Sequence, residues 1–90
     1  MDVEYDPAKA ASNLKKHGVS FEEAVTALLD SMALATEDPD AEGEHRWVLI
    51  GMSDGARLLT VVYAVRHETI RLISARNATK LETRAYAQRV

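Results

Sequence analysis

The stretch Thr69-Ile70-Arg71-Leu72-Ile73-Ser74-Ala75-Arg76-Asn77-Ala78-Thr79-Lys80-Leu81-Glu82-Thr83-Arg84-Ala85-Tyr86 changes from a strand pattern to a helix pattern. Its first part has apolar residues on both alternating faces, which predicts a strand near the centre of a sheet. Asn77-Ala78-Thr79 interrupts that pattern. Thr79 and Glu82 then form a capping box, so a helix is expected to begin there.

The N-terminal third predicts a short strand followed by two helices that meet at a tight corner. Asp6-Pro7 is typical of a helix start, because aspartate suits the N-cap and proline suits the first helical position. His17-Gly18-Val19 is typical of a helix end, and Ser20 with Glu23 forms a capping box for the second helix. Helical spacing marks two apolar stripes as candidate buried faces: Ala10, Ala11 and Leu14 in the first helix, and Ala24, Val25, Leu28 and Leu29 in the second.

Strand patterns fill the middle of the chain. Met32 to Thr36 predicts an edge strand, and the acidic, turn-rich segment 37–44 predicts an exposed loop after it. Three more strands are predicted at Arg46–Met52, Leu58–Val65 and Thr69–Ala75, with connections of hairpin length. The predicted order is β-α-α-β-β-β-β-α, an α+β domain with an antiparallel sheet. The first strand is compatible with either edge of that sheet.

Length and composition limit the class of protein. Ninety residues leave no room for a second core, so one domain over residues 1–90 is expected. The absence of cysteine excludes disulfides, thiolate metal sites and cysteine nucleophiles. The N-terminus lacks the basic and apolar regions of a signal peptide, and the longest apolar run is too short to cross a bilayer. A cytoplasmic protein is therefore expected.

The net charge of −3 is unevenly distributed along the chain. Residues 66–90 contain six bases and two acids, a net charge of +4, while the preceding segments are acidic. Such asymmetry can create a local anion site. A solvated basic helix explains the same pattern, so charge alone does not decide between a nucleic-acid partner and an ordinary surface.

The sequence lacks the motifs of metal sites and of several familiar enzyme classes. His17, His45 and His67 fall in different predicted elements, with no pair at ligand spacing. The acidic loop lacks the pattern of a calcium loop. The glycines are isolated, and no serine sits in a nucleophile elbow. No metal ion and no cofactor are expected.

Two arginines at the ends of strands are the first candidates for chemistry. Arg76 ends a buried strand just before a helix N-terminus, where its guanidinium and backbone N–H groups can converge on a phosphate. An ion pair with Glu82 or with the acidic loop explains Arg76 equally well. Arg57 opens the preceding strand, and its alternative role is that of a solvated strand-end residue.

A second group of polar residues has weaker individual signals. Lys16 and His17 lie at the end of the first helix, where the helix dipole favours a stabilising cation as readily as a catalytic group. Glu44 and Arg46 lie on the same side at a strand start, by the two-residue period. Tyr86 suits core packing, a surface position or base stacking.

In combination, these segments resemble the BrnT toxin family over residues 4–86. The opening segment has Asp6-x-x-Lys9 and then Asn13 to Ala24. The closing segment has Ile70 to Thr79, followed by Glu82 and Tyr86. Between them, Glu44-x-Arg46 and Arg57-Leu58-Leu59 are similar to the middle of the family pattern.

The resemblance implies a RelE-like fold and a type II toxin that cleaves RNA and slows translation. It implies a BrnA antitoxin partner with a ribbon-helix-helix DNA-binding part, and operator DNA bound only through the toxin–antitoxin complex. The acidic loop 37–44 departs from what an RNA-facing surface requires.

Metal-free RNA cleavage uses the 2′-hydroxyl as an internal nucleophile, and therefore needs a proton acceptor, cations for the phosphate and a proton donor. Arg57 and Arg76 are the candidates for phosphate stabilisation, since a guanidinium offers a bidentate fork and keeps its charge. The remaining candidates are Glu44 or His17 as base; Lys16, His17 or Tyr86 as acid; and Arg46, Tyr86 and Lys80 for substrate binding.

Two other functions fit the sequence less well. A non-catalytic protein-binding module, or a translation inhibitor that acts by binding, would halt growth without shortening transcripts. Direct DNA binding lacks a recognition helix, because the helix after Ser20 carries acids and no base.

Overall fold

The computed structural model describes residues 2–88, which form a five-stranded sheet with two helices on one face and a third across the other. The predicted α+β class and the order β-α-α-β-β-β-β-α are confirmed. The elements are β1 (Asp2–Glu4), α1 (Pro7–His17), α2 (Phe21–Leu28), β2 (Leu34–Glu37), β3 (Arg46–Met52), β4 (Leu58–Arg66), β5 (Thr69–Asn77) and α3 (Lys80–Gln88).

The strand order is β1-β5-β4-β3-β2, with β2 at one edge as predicted and β4 in the centre. Neighbouring strands from β2 to β5 pair antiparallel, but β1 pairs parallel with β5. The prediction of a wholly antiparallel sheet was therefore wrong for β1, and the sheet is mixed. β1 occupies the edge of β5 that β4 leaves open, and it runs in the same direction as β5.

The core lies between the sheet and the helices α1 and α2, on what we call the helix face. Phe21, Ala24 and Ala27 of α2 are fully buried against Leu59 and Val61 of β4. The opposite face, which we call the open face, carries the side chains that alternate with these. Helix α3 lies across one end of the open face, where Thr60 donates a hydrogen bond to Glu82 at 2.9 Å.

Asn13 attaches α1 to the edge of β5. Its amide nitrogen donates to the Val19 carbonyl at 2.9 Å and to the Ala75 carbonyl at 2.8 Å, and its side-chain oxygen accepts from the Ala75 N–H at 3.1 Å. The side chain therefore takes the place of a neighbouring strand at Ala75. Because α1 meets a polar strand edge here, a buried amide suits the contact better than an apolar side chain.

The predicted apolar stripe is incorrect in part in each of the two N-terminal helices. In α1 the buried side chain is Asn13, whereas Ala11 is exposed and Leu14 is 50% exposed. In α2 the prediction that Leu29 is buried was wrong. Leu29 is the C-cap and is 78% exposed, because the helix ends one residue earlier. Within residues 2–88, every helix is too short or too polar to cross a membrane.

Candidate functional site

A β-bulge in β5 determines which basic side chains share the open face. Val62 of β4 pairs with Ser74 and Tyr63 pairs with Leu72, so Ile73 has no partner in the register. In a strand without a bulge, two residues five positions apart, as Arg71 and Arg76 are, lie on opposite faces. With the bulge, Arg71 pairs with Ala64 and Arg76 with Thr60, and both arginines lie on the open face.

The basic surface on the open face extends from β5 to β3. Arg46, Ala64 and Arg71 stand in one row across three strands, and Ala64 is only 1% exposed between the two arginines. The Nε of Arg46 is buried and has no hydrogen-bond partner among the described residues. An anion on this face would therefore meet a guanidinium that has an unused donor.

Arg76 is held by a carboxylate that belongs to the cap of α3. Its Nη1 donates to one oxygen of Glu82 at 2.7 Å and its Nη2 to the other at 3.0 Å. Glu82 also accepts from the Thr79 N–H at 2.9 Å, and its own N–H donates to the Thr79 hydroxyl at 3.1 Å. The hydrogen bonds from Arg76 lower the pKa of Glu82 to about 2, so Glu82 is a poor proton acceptor near neutral pH. With its weaker bond to the Asn77 carbonyl, Arg76 uses three of its five N–H groups within the described chain, and two remain for a ligand.

A groove of about 310 Å³ runs along the edge of β5, beneath α1. We call it the edge groove. Lys16 and His17 line it from the helix, and Ile73 and Ser74 line it from the bulge. Ser74 and Arg76 share the open face because they are two residues apart in the strand. The edge groove therefore joins Lys16 and His17 to the arginine surface.

Arg57 lies at the corner between the two N-terminal helices, facing them. Its Nε donates to Glu23 at 3.0 Å, its Nη2 contacts the second oxygen of Glu23, and the same Nη2 donates to the Gly18 carbonyl at 3.3 Å. Ser53 donates to Glu23 at 2.6 Å. The hydrogen bonds from Arg57, followed by that from Ser53, lower the pKa of Glu23 to about 2. The structure thus places Arg57 and Arg76 at the same end of the sheet but on opposite faces.

The other predicted site residues are dispersed. Glu44 forms an ion pair with Arg66 at 3.5 Å. Arg66 is the last residue of β4, four residues beyond Val62, which pairs with Ser74 of the edge groove. Tyr86 donates to Asp30 at 2.6 Å, and that bond is the main cause of the raised pKa of Tyr86. Lys80 is exposed at the start of α3. The structure therefore places Lys16 and His17 on one groove with Ser74, two residues before Arg76 in β5, and does not bring Glu44 to them.

Two residues of these clusters were not among the sequence candidates. Arg71 had a signal in the basic C-terminal segment, but its place beside Arg76 depends on the bulge. Glu23 was recognised only as a capping residue, and its contact with Arg57 spans 34 residues of chain. Among residues 2–88, no group of three or more His, Asp or Glu side chains is arranged to hold a metal ion.

We expect the two arginine–glutamate pairs to make folding sensitive to acid. Glu23 and Glu82 have pKa values of about 2 in the folded chain, against an ordinary 4.5. Each pair contributes about 2 kcal/mol to the free energy of unfolding after allowance for solvent screening. This contribution is complete above pH 4.5 and is lost as the pH falls towards 2. Urea unfolding at pH 7, 4 and 3 measures how steeply the free energy of unfolding falls with pH. Glu23→Gln and Glu82→Gln should each reduce this slope. An unchanged slope in both variants would contradict the assignment, and Glu68→Gln in an exposed turn is the control.

Comparison with known proteins identifies the family. A family model described as the ribonuclease toxin BrnT of type II toxin–antitoxin systems matches residues 5–82. Among solved structures, a 1.1 Å crystal structure of the Brucella abortus ribonuclease toxin BrnT matches with a TM-score of 0.65 and 26% sequence identity, covering 89% of this chain and 99% of that one. No curated protein sequence matches. The match over most of the chain, together with the agreement in fold, shows that this protein belongs to the BrnT family of ribonuclease toxins of type II toxin–antitoxin systems.

Proposed function

We propose that this chain is a metal-independent endoribonuclease that binds RNA along the edge groove and the adjoining open face. The observation that carries the proposal is the bulge at Ile73, which places Arg71 and Arg76 on one face, beside the groove that Lys16 and His17 line. Four basic side chains around one strand can bind successive phosphates, and the cleft between helix and strand gives the backbone a defined path.

In the proposed reaction, the 2′-hydroxyl attacks the adjacent phosphorus and the bond to the 5′ oxygen breaks. The products are a 2′,3′-cyclic phosphate and a 5′-hydroxyl end, and no metal ion is needed for the nucleophile. Arg76, helped by Arg71, stabilises the charge on the phosphate oxygens. His17 takes the proton of the 2′-hydroxyl as the oxygen attacks, and Lys16 donates a proton to the 5′ oxygen as it leaves.

The other predicted residues take supporting roles in this proposal. Arg57 acts as a positioning residue, because its bond to the Gly18 carbonyl fixes the backbone next to His17. Arg46 and Lys80 bind the flanking RNA through their charge, and Tyr86 of α3 offers its ring for stacking on a base. Glu44 lies outside the catalytic group, because its contact with Arg66 holds it at the far end of the sheet.

The biological setting follows from membership of a type II family. We propose that RNA cleavage by this chain slows translation in the cytoplasm, and that a BrnA-like antitoxin with a ribbon-helix-helix part neutralises it. In this proposal operator DNA is bound through the antitoxin in the complex. The acidic balance of residues 1–65 fits the absence of direct DNA contact by the toxin.

The test is cleavage of an end-labelled RNA by the purified protein in the presence of excess chelator. We expect fragments with 5′-hydroxyl ends and 2′,3′-cyclic phosphates, at a rate that the chelator does not change. Arg76→Ala, purified in the same way, controls for contaminating nucleases. Loss of cleavage with chelator would refute metal independence. Growth arrest on expression without shortened transcripts would refute the ribonuclease and favour an inhibitor that acts by binding.

A further inference from the structure

A second, larger groove lies on the helix face, at the end of the sheet that α1 and α2 do not reach. Its volume is about 630 Å³, and we call it the apolar groove. Trp47 of β3, Tyr63 and Val65 of β4 and Ile70 of β5 form its floor, with Ala35 of β2 at its side. Its polar lining residues are Glu37, His45 and His67.

The floor of the apolar groove is the continuation of the core without its cover. Trp47, Val65 and Ile70 pack against the core but remain only partly buried, whereas Leu49 and Leu59 on the same face are buried beneath α2. A contiguous apolar surface that includes a tryptophan and has a polar rim is typical of a protein interface.

The charge beside the apolar groove determines the kind of partner. The segment 37–44 contains five carboxylates and no base, namely Glu37, Asp38, Asp40, Glu42 and Glu44. It surrounds a further cavity of about 410 Å³ that shares Glu37 and His45 with the apolar groove, so the two are continuous. Only two of these carboxylates have a cationic or imidazole partner in the described chain, Glu37 with His45 and Glu44 with Arg66. A surface of this charge repels RNA and attracts lysine and arginine side chains.

We propose that the apolar groove and the acidic segment 37–44 are the docking surface for a basic amphipathic segment of the antitoxin. Apolar side chains of that segment fill the space over Trp47 and Val65, and its lysines or arginines pair with the acidic segment. This inference rests on the family's type II partnership. It puts the antitoxin anchor on the helix face, while the proposed RNA surface lies on the open face and along the edge groove.

The experiment uses the full-length protein with its co-expressed antitoxin and a pair of adjacent substitutions. Ala35 and Thr36 are both exposed on edge strand β2, and their side chains point to opposite faces. Ala35→Arg fills the apolar groove with a cation, and we expect it to weaken antitoxin binding at least about 30-fold by calorimetry, as for loss of a hot-spot contact. Thr36→Arg adds the same charge on the open face and should bind as the wild type does.

Two further readouts make the occupant identifiable. Trp47 is the only tryptophan of the chain, so the fluorescence of the free protein comes from the groove. Its emission should shift to shorter wavelength when the antitoxin covers the groove. The antitoxin used must lack tryptophan or carry phenylalanine at each tryptophan position. Charge reversal by Asp40→Lys with Glu42→Lys should lower affinity about tenfold and weaken its dependence on salt, whereas Asp54→Lys in the β3–β4 turn should not.

Binding by Ala35→Arg at wild-type affinity, or loss of binding by Thr36→Arg alone, would overturn the proposal. A free toxin that sediments as a dimer, which Ala35→Arg separates, would assign the groove to a second copy and also overturn it. The RNA assay keeps this result separate from the proposed function. Ala35→Arg should cleave RNA at the wild-type rate, while a wild-type protein that binds antitoxin but never cleaves RNA refutes only the ribonuclease.

Discussion

Replacement of Arg76 by alanine is expected to lower the rate of RNA cleavage about 10²–10³-fold, as for the loss of one preorganised donor to a developing oxyanion. The bidentate contact with Glu82 holds the guanidinium in one orientation before RNA arrives, so its free N–H groups lose little entropy on binding the phosphate. Single-turnover cleavage of labelled RNA measures the chemical step directly. Arg76→Lys keeps the charge but loses the fork, and its rate should fall between those of the wild type and Arg76→Ala.

The control for charge is Arg84→Ala, which removes an exposed arginine from α3 without touching the sheet. We expect its cleavage rate to stay within about twofold of the wild type at moderate salt, since a surface charge contributes mainly to encounter. Arg76→Ala leaves Glu82 without its cation, so thermal unfolding must show that the variant is folded at the assay temperature. A folded Arg76→Ala that cleaves at the wild-type rate would remove Arg76 from the mechanism.

Asn13→Ala is expected to have the largest effect on stability, about 3 kcal/mol. The substitution leaves both the N–H and the carbonyl of Ala75 without their partner, and it also removes a donor to the Val19 carbonyl. For a domain of this size the loss corresponds to a fall in Tm of about 10–20 °C. Circular dichroism during heating, with urea unfolding at 25 °C, gives both quantities.

Asn13→Asp tests the reason for this effect, because it keeps the shape of the side chain and removes its donor. The carboxylate would face two carbonyl oxygens, so we expect it to destabilise the fold at least as much as alanine does. Ser12→Ala, the exposed neighbour on α1, should change the stability by less than about 0.5 kcal/mol. A small effect of both Asn13 substitutions would show that α1 is held to β5 mainly by apolar packing.

Local signals in the sequence predicted local structure well. Both predicted N-caps are present, with Ser20 accepting from the Glu23 N–H at 3.0 Å and Thr79 from the Glu82 N–H at 3.1 Å. The reciprocal bond of a capping box forms at the second, where Glu82 accepts from the Thr79 N–H, whereas the carboxylate of Glu23 binds Arg57 and Ser53. Gly18 has the left-handed conformation expected of a helix end, with φ of 70°. These features depend on residues within a few positions of one another, which is the range over which sequence patterns carry information.

The sequence patterns did not predict which residues far apart in the chain contact one another. The same two glutamates also bind Arg57 and Arg76. The ion pair of Arg76 with Glu82 was one of the alternatives that the sequence offered, but nothing indicated that Glu23 would bind Arg57. Asn13 was not among the residues predicted to be buried, because amphipathic patterns equate burial with apolar character, and its burial depends on the contact with the edge of β5. The sequence therefore predicted the elements, but not which of the candidate residues share a face.

The unpaired Ile73 determines which change of length β5 tolerates. Deletion of this one residue would leave a strand that pairs regularly with β4, with Arg71 and Arg76 four residues apart and still on one face. Leu72 and Ala75 would keep their places in the core, whereas the edge groove would lose Ile73 from its lining and β5 would lose the extra twist of the bulge. A related chain that is one residue shorter here can therefore keep both the arginine surface and the core, and would differ from this one in the groove beneath α1.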